Sequence, residues 1–398
     1  MAATARRRSA RREQDEAANA GTELFLELAR MVAALAETRS LRSFTLPYPG
    51  YAQRALDHTV MRCLGIGRRP PRSLPELWEW CRDIGADDEL FGVPASLVTP
   101  GATLVDRIGQ MPTRTCLELA SHGAAGGVAA QARSLLDDLE ARCGSAERYA
   151  RCRHFLASHP VVQQEDRRTR GWSKEVWARV KELYRPLPEA LCVDGLFLPC
   201  PVCGLPALPC GRIVSDPVRP AAGEAIWCEG EDCVRPDRFE PIREPGLALI
   251  LPRSLRTFLV LPHPVEEAAL SELDRTGIEY EAAAGRLGAY HLRGTGSGTR
   301  EMHVYDRLQP GLLAAHLTDT APHSDRTFVV VPERLADRDG YRAHFTDALP
   351  ALLRERLVLT TPDNLVHRLT ASAAGGDPDS TADRGGPEPK RSEDEDDA

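Results

Sequence analysis

From Gly21 to about Glu37 the apolar residues Leu24, Leu26, Leu28, Met31, Val32 and Leu35 recur at mixed three- and four-residue spacing, with alanine filling the positions between. That period predicts a helix with a broad buried face. Further helices are expected at Tyr51 to Cys63, Leu74 to Arg82, Thr115 to His122, Gly127 to Cys143 and Ser145 to Ala157, separated by Pro70-Pro71, Pro94, Pro100 and Pro112. Ser173-Lys174-Glu175-Val176-Trp177 opens one more, which Arg185-Pro186-Leu187-Pro188 ends. Beyond about residue 245 the pattern changes. Short apolar runs at Leu247 to Leu251, Thr257 to Leu261, Gly277 to Tyr280, Met302 to Tyr305, Thr327 to Val331 and Leu357 to Thr360 read as strands or short buried elements. Between them, Val265 to Arg275, Pro310 to Leu317, Tyr341 to Leu353 and Pro362 to Leu369 read as helices. The expected fold class is multidomain, α followed by α/β with one sheet. The expected divisions are a disordered basic end at 1–20, a helical accessory domain at 21–190, a cysteine-bearing segment at 195–240, an α/β domain at 245–372 and a disordered acidic tail at 373–398.

Composition adds boundaries to this picture. A chain of 398 residues with 42% hydrophobic and 27% charged positions is that of a globular protein with more than one folded unit. No run approaches the roughly 18 uninterrupted apolar residues that cross a bilayer. The basic start, Ala5 to Arg12, leads into Glu13-Gln14-Asp15-Glu16 and not into an apolar export core, so a cytoplasmic location is expected. Much of the formal charge of −8 comes from Ser392-Glu393-Asp394-Glu395-Asp396-Asp397, which leaves the folded part near neutral. This argues against a strongly basic, self-sufficient nucleic-acid module while leaving room for a local groove.

Eleven cysteines in a long chain without an export signal point to reduced thiols and a metal site, not to a disulfide framework. Cys63, Cys81, Cys116, Cys143, Cys152 and Cys192 are scattered through helical sequence as small buried apolar residues. Four others are patterned: Cys200-Pro201-Val202-Cys203-Gly204, then Trp227-Cys228-Glu229-Gly230-Glu231-Asp232-Cys233. A Cys-x2-Cys turn aims two sulfurs at one tetrahedral centre, and a second pair on a facing hairpin completes four thiolates. Cys200, Cys203, Cys228 and Cys233 are therefore the expected ligands of a structural zinc ribbon, with Cys210 the main competitor. An open catalytic zinc served by Glu229 or Glu231 is disfavoured, because all-thiolate sites are ordinarily closed.

From about residue 195 to 370 the order of motifs resembles the restriction-endonuclease-like protein associated with the pPIWI-RE family, a bacterial three-gene island. The residues that carry the resemblance are the four-cysteine segment, then Ala289-Tyr290-His291-Leu292-Arg293, Met302-His303-Val304-Tyr305-Asp306 running into Gln309-Pro310-Gly311-Leu312-Leu313, and Phe328-Val329-Val330-Val331-Pro332-Glu333-Arg334 with Tyr341 behind it. The resemblance implies a PIWI/Argonaute-like protein and a DinG-type helicase as partners, and DNA or a DNA–RNA hybrid as the nucleic acid. It makes the helical region one of the island's accessory domains. It also implies a restriction-endonuclease fold, whose members cut DNA with an Asp on one strand and Asp/Glu-x-Lys on the next, the carboxylates holding Mg²⁺.

Laid onto this chain, the first Asp falls at His291, the second at His303 and the Lys at Tyr305. Imidazoles are poor ligands for a hard cation that prefers oxygen, and a phenol lacks the lysine's charge. The expectation is a non-catalytic, nucleic-acid-associated subunit with a degenerate nuclease fold. Two alternatives stand beside it: an active Mg²⁺-dependent nuclease with Glu279, Glu281 and Glu301 as migrated carboxylates, or a different metal on His291 and His303; and a protein-only scaffold. Arg293, Arg300, Arg307 and Arg326 are the candidates for phosphate contacts. No Walker-type loop is present, and Gly294-Thr295-Gly296-Ser297-Gly298 lacks a following helix, so it reads as a hairpin loop.

Overall fold

The apolar stripe around Leu28 and Leu35 forms as expected, in a helix that runs further than its hydrophobic part. A computed structural model describes residues 2–38, 44–123, 126–163, 166, 171–209, 226–231, 233, 238–283, 286–293, 298–320 and 324–373. Helix α1 (Ala2–Thr38) begins inside the basic segment expected to be disordered. Ala, Arg, Glu and Gln are strong helix formers, and charge that opposes burial does not oppose helical backbone. The acidic tail from 374 onward, Cys210 and positions 294–297 of the glycine loop lie outside the described residues.

Around the inner part of α1 pack α2 (Gly50–Gly65), α3 (Leu74–Asp83) and α4 (Arg114–Ala120), sharing a core that includes Phe25, Leu28, Leu56, Leu77, Phe91 and Leu117. Helix α3 starts as its sequence demands: the Ser73 hydroxyl accepts from the Glu76 amide at 3.4 Å, and Pro75 occupies the first turn. A second helical group, α5 (Gly127–Cys143), α6 (Ala146–Ser158) and α7 (Lys174–Val180), closes over Leu136, Leu139, Leu156 and Val180.

Seven short strands follow or interrupt these helices: β1 (Val161–Gln163), β2 (Arg185–Pro186), β3 (Cys192–Val193), β4 (Leu196–Pro199), β5 (Pro206–Pro209), β6 (Ile226–Cys228) and β7 (Ala248–Ile250). Strands β3 to β6 make an antiparallel sheet in chain order that carries the cysteines. Strand β7, expected in the C-terminal domain, instead lies between β1 and β2, so the boundaries drawn at 190 and 245 do not separate independent sheets. The run Thr257 to Leu261, read as a strand or short buried element, is the latter: a π-helical turn, Arg256–Val260, continuing the short helix Arg253–Leu255. A five-residue apolar run has no period of its own, and here burial on all sides selects it.

The C-terminal domain contains α8 (His263–Thr276), β8 (Tyr280–Ala282), β9 (Ala289–Leu292), β10 (Arg300–Val304), α9 (Pro310–Thr320), β11 (Arg326–Val330), α10 (Tyr341–Ala348), β12 (Leu357–Thr360) and α11 (Pro362–Ala373). Its five strands lie in the order β12-β11-β10-β9-β8, parallel from β10 to β12 and antiparallel from β8 to β10. Alternation sends Met302, Val304, Phe328 and Val330 toward α8 and α11, and Val329 and Val331 toward α9 and α10. The helix expected to continue to Leu353 stops at Ala348, because Pro350 forces Leu349 into extended backbone, and resumes at Ala351–Arg354.

These parts meet at buried polar groups. On α4, the Arg114 guanidinium donates to the Asp306 carboxylate at 2.8 Å, the Asp306 carbonyl at 2.7 Å and the Gly230 carbonyl at 3.1 Å. One turn on, Glu118 accepts from the amides of Leu308 at 2.7 Å and Gln309 at 3.1 Å. Gln309 in turn donates to Thr115 Oγ1 at 2.9 Å and accepts from the Thr99 amide at 2.9 Å. Gly311, at the start of α9, lets the helix press on the backbone of Ser96 and Leu97, where a Cβ would collide with the Ser96 carbonyl. A second tie joins α6 to α8, where one Arg153 nitrogen lies 2.9 Å from each oxygen of Glu266.

Two outcomes are expected. Replacing Arg114 by Ala leaves Asp306 and Glu118 buried with less compensation and should cost about 3–5 kcal/mol in chemical denaturation; a loss under about 1 kcal/mol would refute the junction's importance. Burial alone would raise the Glu266 carboxyl, but the Arg153 charge, the nearby His263 ring and hydrogen bonds from Tyr290 and Arg153 outweigh it and hold it at about 2. Its contribution is thus complete above the ordinary carboxyl range near pH 4.5 and is lost as pH falls toward about 2. Glu266→Gln should flatten that part of the stability–pH curve by about 3 kcal/mol.

Candidate functional site

Two places collect chemistry-bearing side chains: the cysteine sheet and one face of the five-stranded sheet. In the first, the turn after β4 brings the Gly204 amide to the Cys200 carbonyl at 2.8 Å, and the Cys200 amide to the Leu205 carbonyl at 2.7 Å. The turn after β6 places the Gly230 amide 3.3 Å from Cys228 Sγ. The sulfurs of Cys200, Cys203, Cys228 and Cys233 all lie within 4.8 Å of one another, so the four together could hold a metal ion. A Cβ on Gly230 would sit 3.1 Å from Cys233 Sγ and 3.2 Å from Cys203 Sγ, which shows how closely the backbone wraps the sulfurs. As thiolates, this donor set would suit a thiophilic ion in a closed site. The neighbouring acids are committed elsewhere. Glu229 is buried in a two-point pair with Arg256, at 2.9 Å for each oxygen, and Glu231 accepts from the Arg114 amide at 2.6 Å.

On the five-stranded sheet, the register pairs Glu281 with His291 and His291 with Glu301, while His303 sits opposite Ala289. Glu281, His291, Glu301 and His303 therefore share one face across three adjacent strands. Glu301 stands between the histidines, 3.4 Å from His291 Nδ1 and 3.0 Å from His303 Nε2, with Arg286 at 3.4 Å. His303 is 4% exposed, and burial lowers its pKa despite Glu301, which keeps the ring neutral. Its Nε2 faces the carboxylate, leaving Nδ1 buried without a partner. Tyr305, further along the same face, is pushed up to about 12 by burial and stays a neutral phenol. Asp306 points the other way, into the junction with Arg114 and Arg334.

The four arginines expected to contact phosphates do not act alike. Arg293 is exposed and paired with Glu281. Arg326 opens β11, half-buried. Arg300, by contrast, is buried and donates to the Leu369 carbonyl at 3.2 Å, so it is part of the packing and not of a surface. Arg307 is also buried, its guanidinium 4.6 Å over the Phe258 ring. Of the migrated carboxylates, Glu301 joins the histidines, Glu281 pairs outward, and Glu279 lies just before β8 away from them.

A cavity of about 320 Å³ opens beside His303 and Tyr305, roofed by α5 and the Thr257–Phe258 turn. Arg133, Arg153, Arg286, Arg307 and His316 line it as well. His316 is depressed to about 3, first by burial and then by the surrounding Arg307 and Arg133 charges. Arg114, Glu118, Arg133, Arg286 and His316 carry the site's electrostatics and were not singled out from the sequence. For Arg114 and Glu118 a signal existed, since an Arg and a Glu four apart interrupt the apolar run of Thr115 to Ala120.

Comparison with known families agrees with this geometry. Residues 24–163 match the pPIWI_RE three-gene island domain Y, and residues 265–377 match the REase associating with pPIWI_RE. No curated protein and no solved structure matches the chain. Among the described residues no helix is long and apolar enough to cross a membrane. With domain Y in the helical half and the associated restriction-endonuclease domain forming the mixed sheet, the chain belongs to the restriction-endonuclease-like proteins of the pPIWI-RE three-gene island.

Proposed function

We propose that this protein is a non-catalytic, nucleic-acid-associated subunit of a pPIWI-RE-type defence system acting against invading DNA, working with a PIWI/Argonaute-like protein and a DinG-type helicase in the cytoplasm. The observation that carries the proposal is the face shared by His291, Glu301 and His303. Where a nuclease of this fold presents paired carboxylates and a lysine, this chain offers Glu301 flanked by two imidazoles, with the second acid of the face, Glu281, paired to Arg293 and with Tyr305 beyond. Mg²⁺ needs several hard oxygens, and a single Glu301 already engaged by Arg286 supplies too few. Nucleic acid is then bound at the end of the sheet where exposed Arg293 and half-buried Arg326 contact phosphates without reading bases. Zinc on Cys200, Cys203, Cys228 and Cys233 supplies no reaction step; coordination substitutes for a core too small to stand alone.

Incubated with supercoiled plasmid and Mg²⁺ or Mn²⁺, the purified protein should leave the DNA intact, while retarding duplex or hybrid in a salt-sensitive way that Arg293→Ala weakens severalfold. Cleavage abolished by Glu281→Ala or Glu301→Ala would replace this reading with that of an active nuclease. Absence of any retardation would favour a protein-only scaffold. Metal analysis should return about one zinc per chain. Cys203→Ser should lose it and partly unfold; a folded, metal-free wild type would contradict the assignment.

A further inference from the structure

The cavity beside His303 and Tyr305 carries more positive charge than its own acids neutralise. Four arginines line it against two carboxylates. Glu266 is taken by Arg153, and Asp306 by Arg114 and Arg334 outside the cavity. Arg286 shares Glu301 with two histidines. Arg133 projects from the exposed side of α5 at the rim. Arg307 is the unusual one. It is 9% exposed and stacked on Phe258, and no described residue accepts a hydrogen bond from its guanidinium. Its nearest compensating acid, Glu118, accepts from the amides of Leu308 and Gln309, so the guanidinium lines the cavity with no side chain bonded to it. The same wall holds a second unmet group, the Nδ1 of neutral His303. Tyr305 and His316 meet edge to face at 5.7 Å and make the wall aromatic.

An occupant that satisfies all of these has an anionic end with several acceptor oxygens, an N–H or O–H donor and a flat face. At about 320 Å³ the space is near the lower end of small-molecule pockets, roughly 300 Å³. It admits one nucleotide unit and not a strand passing through. We propose that this cavity binds a single phosphorylated nucleotide, its phosphate on Arg307, Arg133 and Arg286 and its base against Tyr305 and His316. The proposal deepens the reading of a nucleic-acid-associated subunit, on which it rests, by naming what the degenerate site takes. The same chemistry is offered by a free mononucleotide and by the phosphorylated end of a strand.

The test is calorimetric titration of the full-length, zinc-loaded protein with each ribo- and deoxynucleoside 5′-monophosphate, with the matching nucleosides as phosphate-free controls. At least one monophosphate should saturate a single site per chain, with its nucleoside bound at least tenfold more weakly. Because Arg307 is buried and its replacement can unfold the chain, the rim variant Arg133→Ala carries the mutational arm, with Arg286→Ala beside it. Each should weaken the monophosphate at least tenfold at unchanged melting temperature. A second arm compares short oligonucleotides with a 5′-phosphate and a 5′-hydroxyl. Preference for the phosphorylated strand over the free nucleotide assigns the site to a strand end, and the reverse assigns it to a free nucleotide; either supports the pocket. No saturation up to millimolar by any of these probes, or binding that both variants leave unchanged, overturns it. Duplex retardation weakened by Arg293→Ala reads that end of the sheet independently, so a failed pocket leaves the subunit reading standing.

Discussion

The contacts of Arg114 hold three parts of this molecule in one arrangement. Its guanidinium reaches the Asp306 side chain and carbonyl and the Gly230 carbonyl, while its backbone amide is fixed by Glu231. One residue of the helical region thereby touches both the cysteine sheet and the end of β10. Removing a cation from water at this depth is expensive, and only acceptors converging from separate segments offset it. The cost therefore acts as a filter. Arrangements that fail to bring Asp306 and Gly230 together at α4 leave Arg114 uncompensated, so the ion pair selects one packing of domain Y on the nuclease-like domain.

That constraint reaches the cavity through a short piece of chain. Asp306 follows Tyr305 and precedes Arg307, and the next two amides, of Leu308 and Gln309, are held by Glu118. With Asp306 drawn toward α4, alternation and the fixed loop turn Tyr305 into the cavity, and Arg307 is carried over Phe258. The roof comes from the same source, since α5 follows α4 after a brief connection. His303 and Tyr305 thus line a space whose walls belong to both family domains, while His291 lies outside it, exposed.

The sequence showed whatever is written in local spacing. The cysteine pairs, the strands at Met302, Thr327 and Leu357 and most helices were legible because period and turn chemistry are short-range properties. The histidines at 291 and 303 were also placed correctly on adjoining strands of one sheet, on the strength of motif order. What escaped was set by contacts far apart in the chain. Thr257 to Leu261 became helical because its surroundings bury every side. β7 left its expected sheet for β1 and β2. Arg300 and Arg307, named as candidates for phosphate contacts, are interior, since a sequence cannot show that the next layer covers them. Arg114 and Glu118 left a trace in the apolar stripe, but a charge four residues from its opposite is usually a solvated pair.

Burial also changes what the lost motif means. Of the two histidines only His303 is buried; His291 is exposed. With His303 neutral beneath α5 and sharing Glu301 with His291 and Arg286, the acid has become an acceptor for three neighbours in place of a metal ligand. Beside His303 and Tyr305 the cavity is lined by α5 and by arginines, of which Arg153 is paired with Glu266. The charge arrangement is suited to holding a phosphate still.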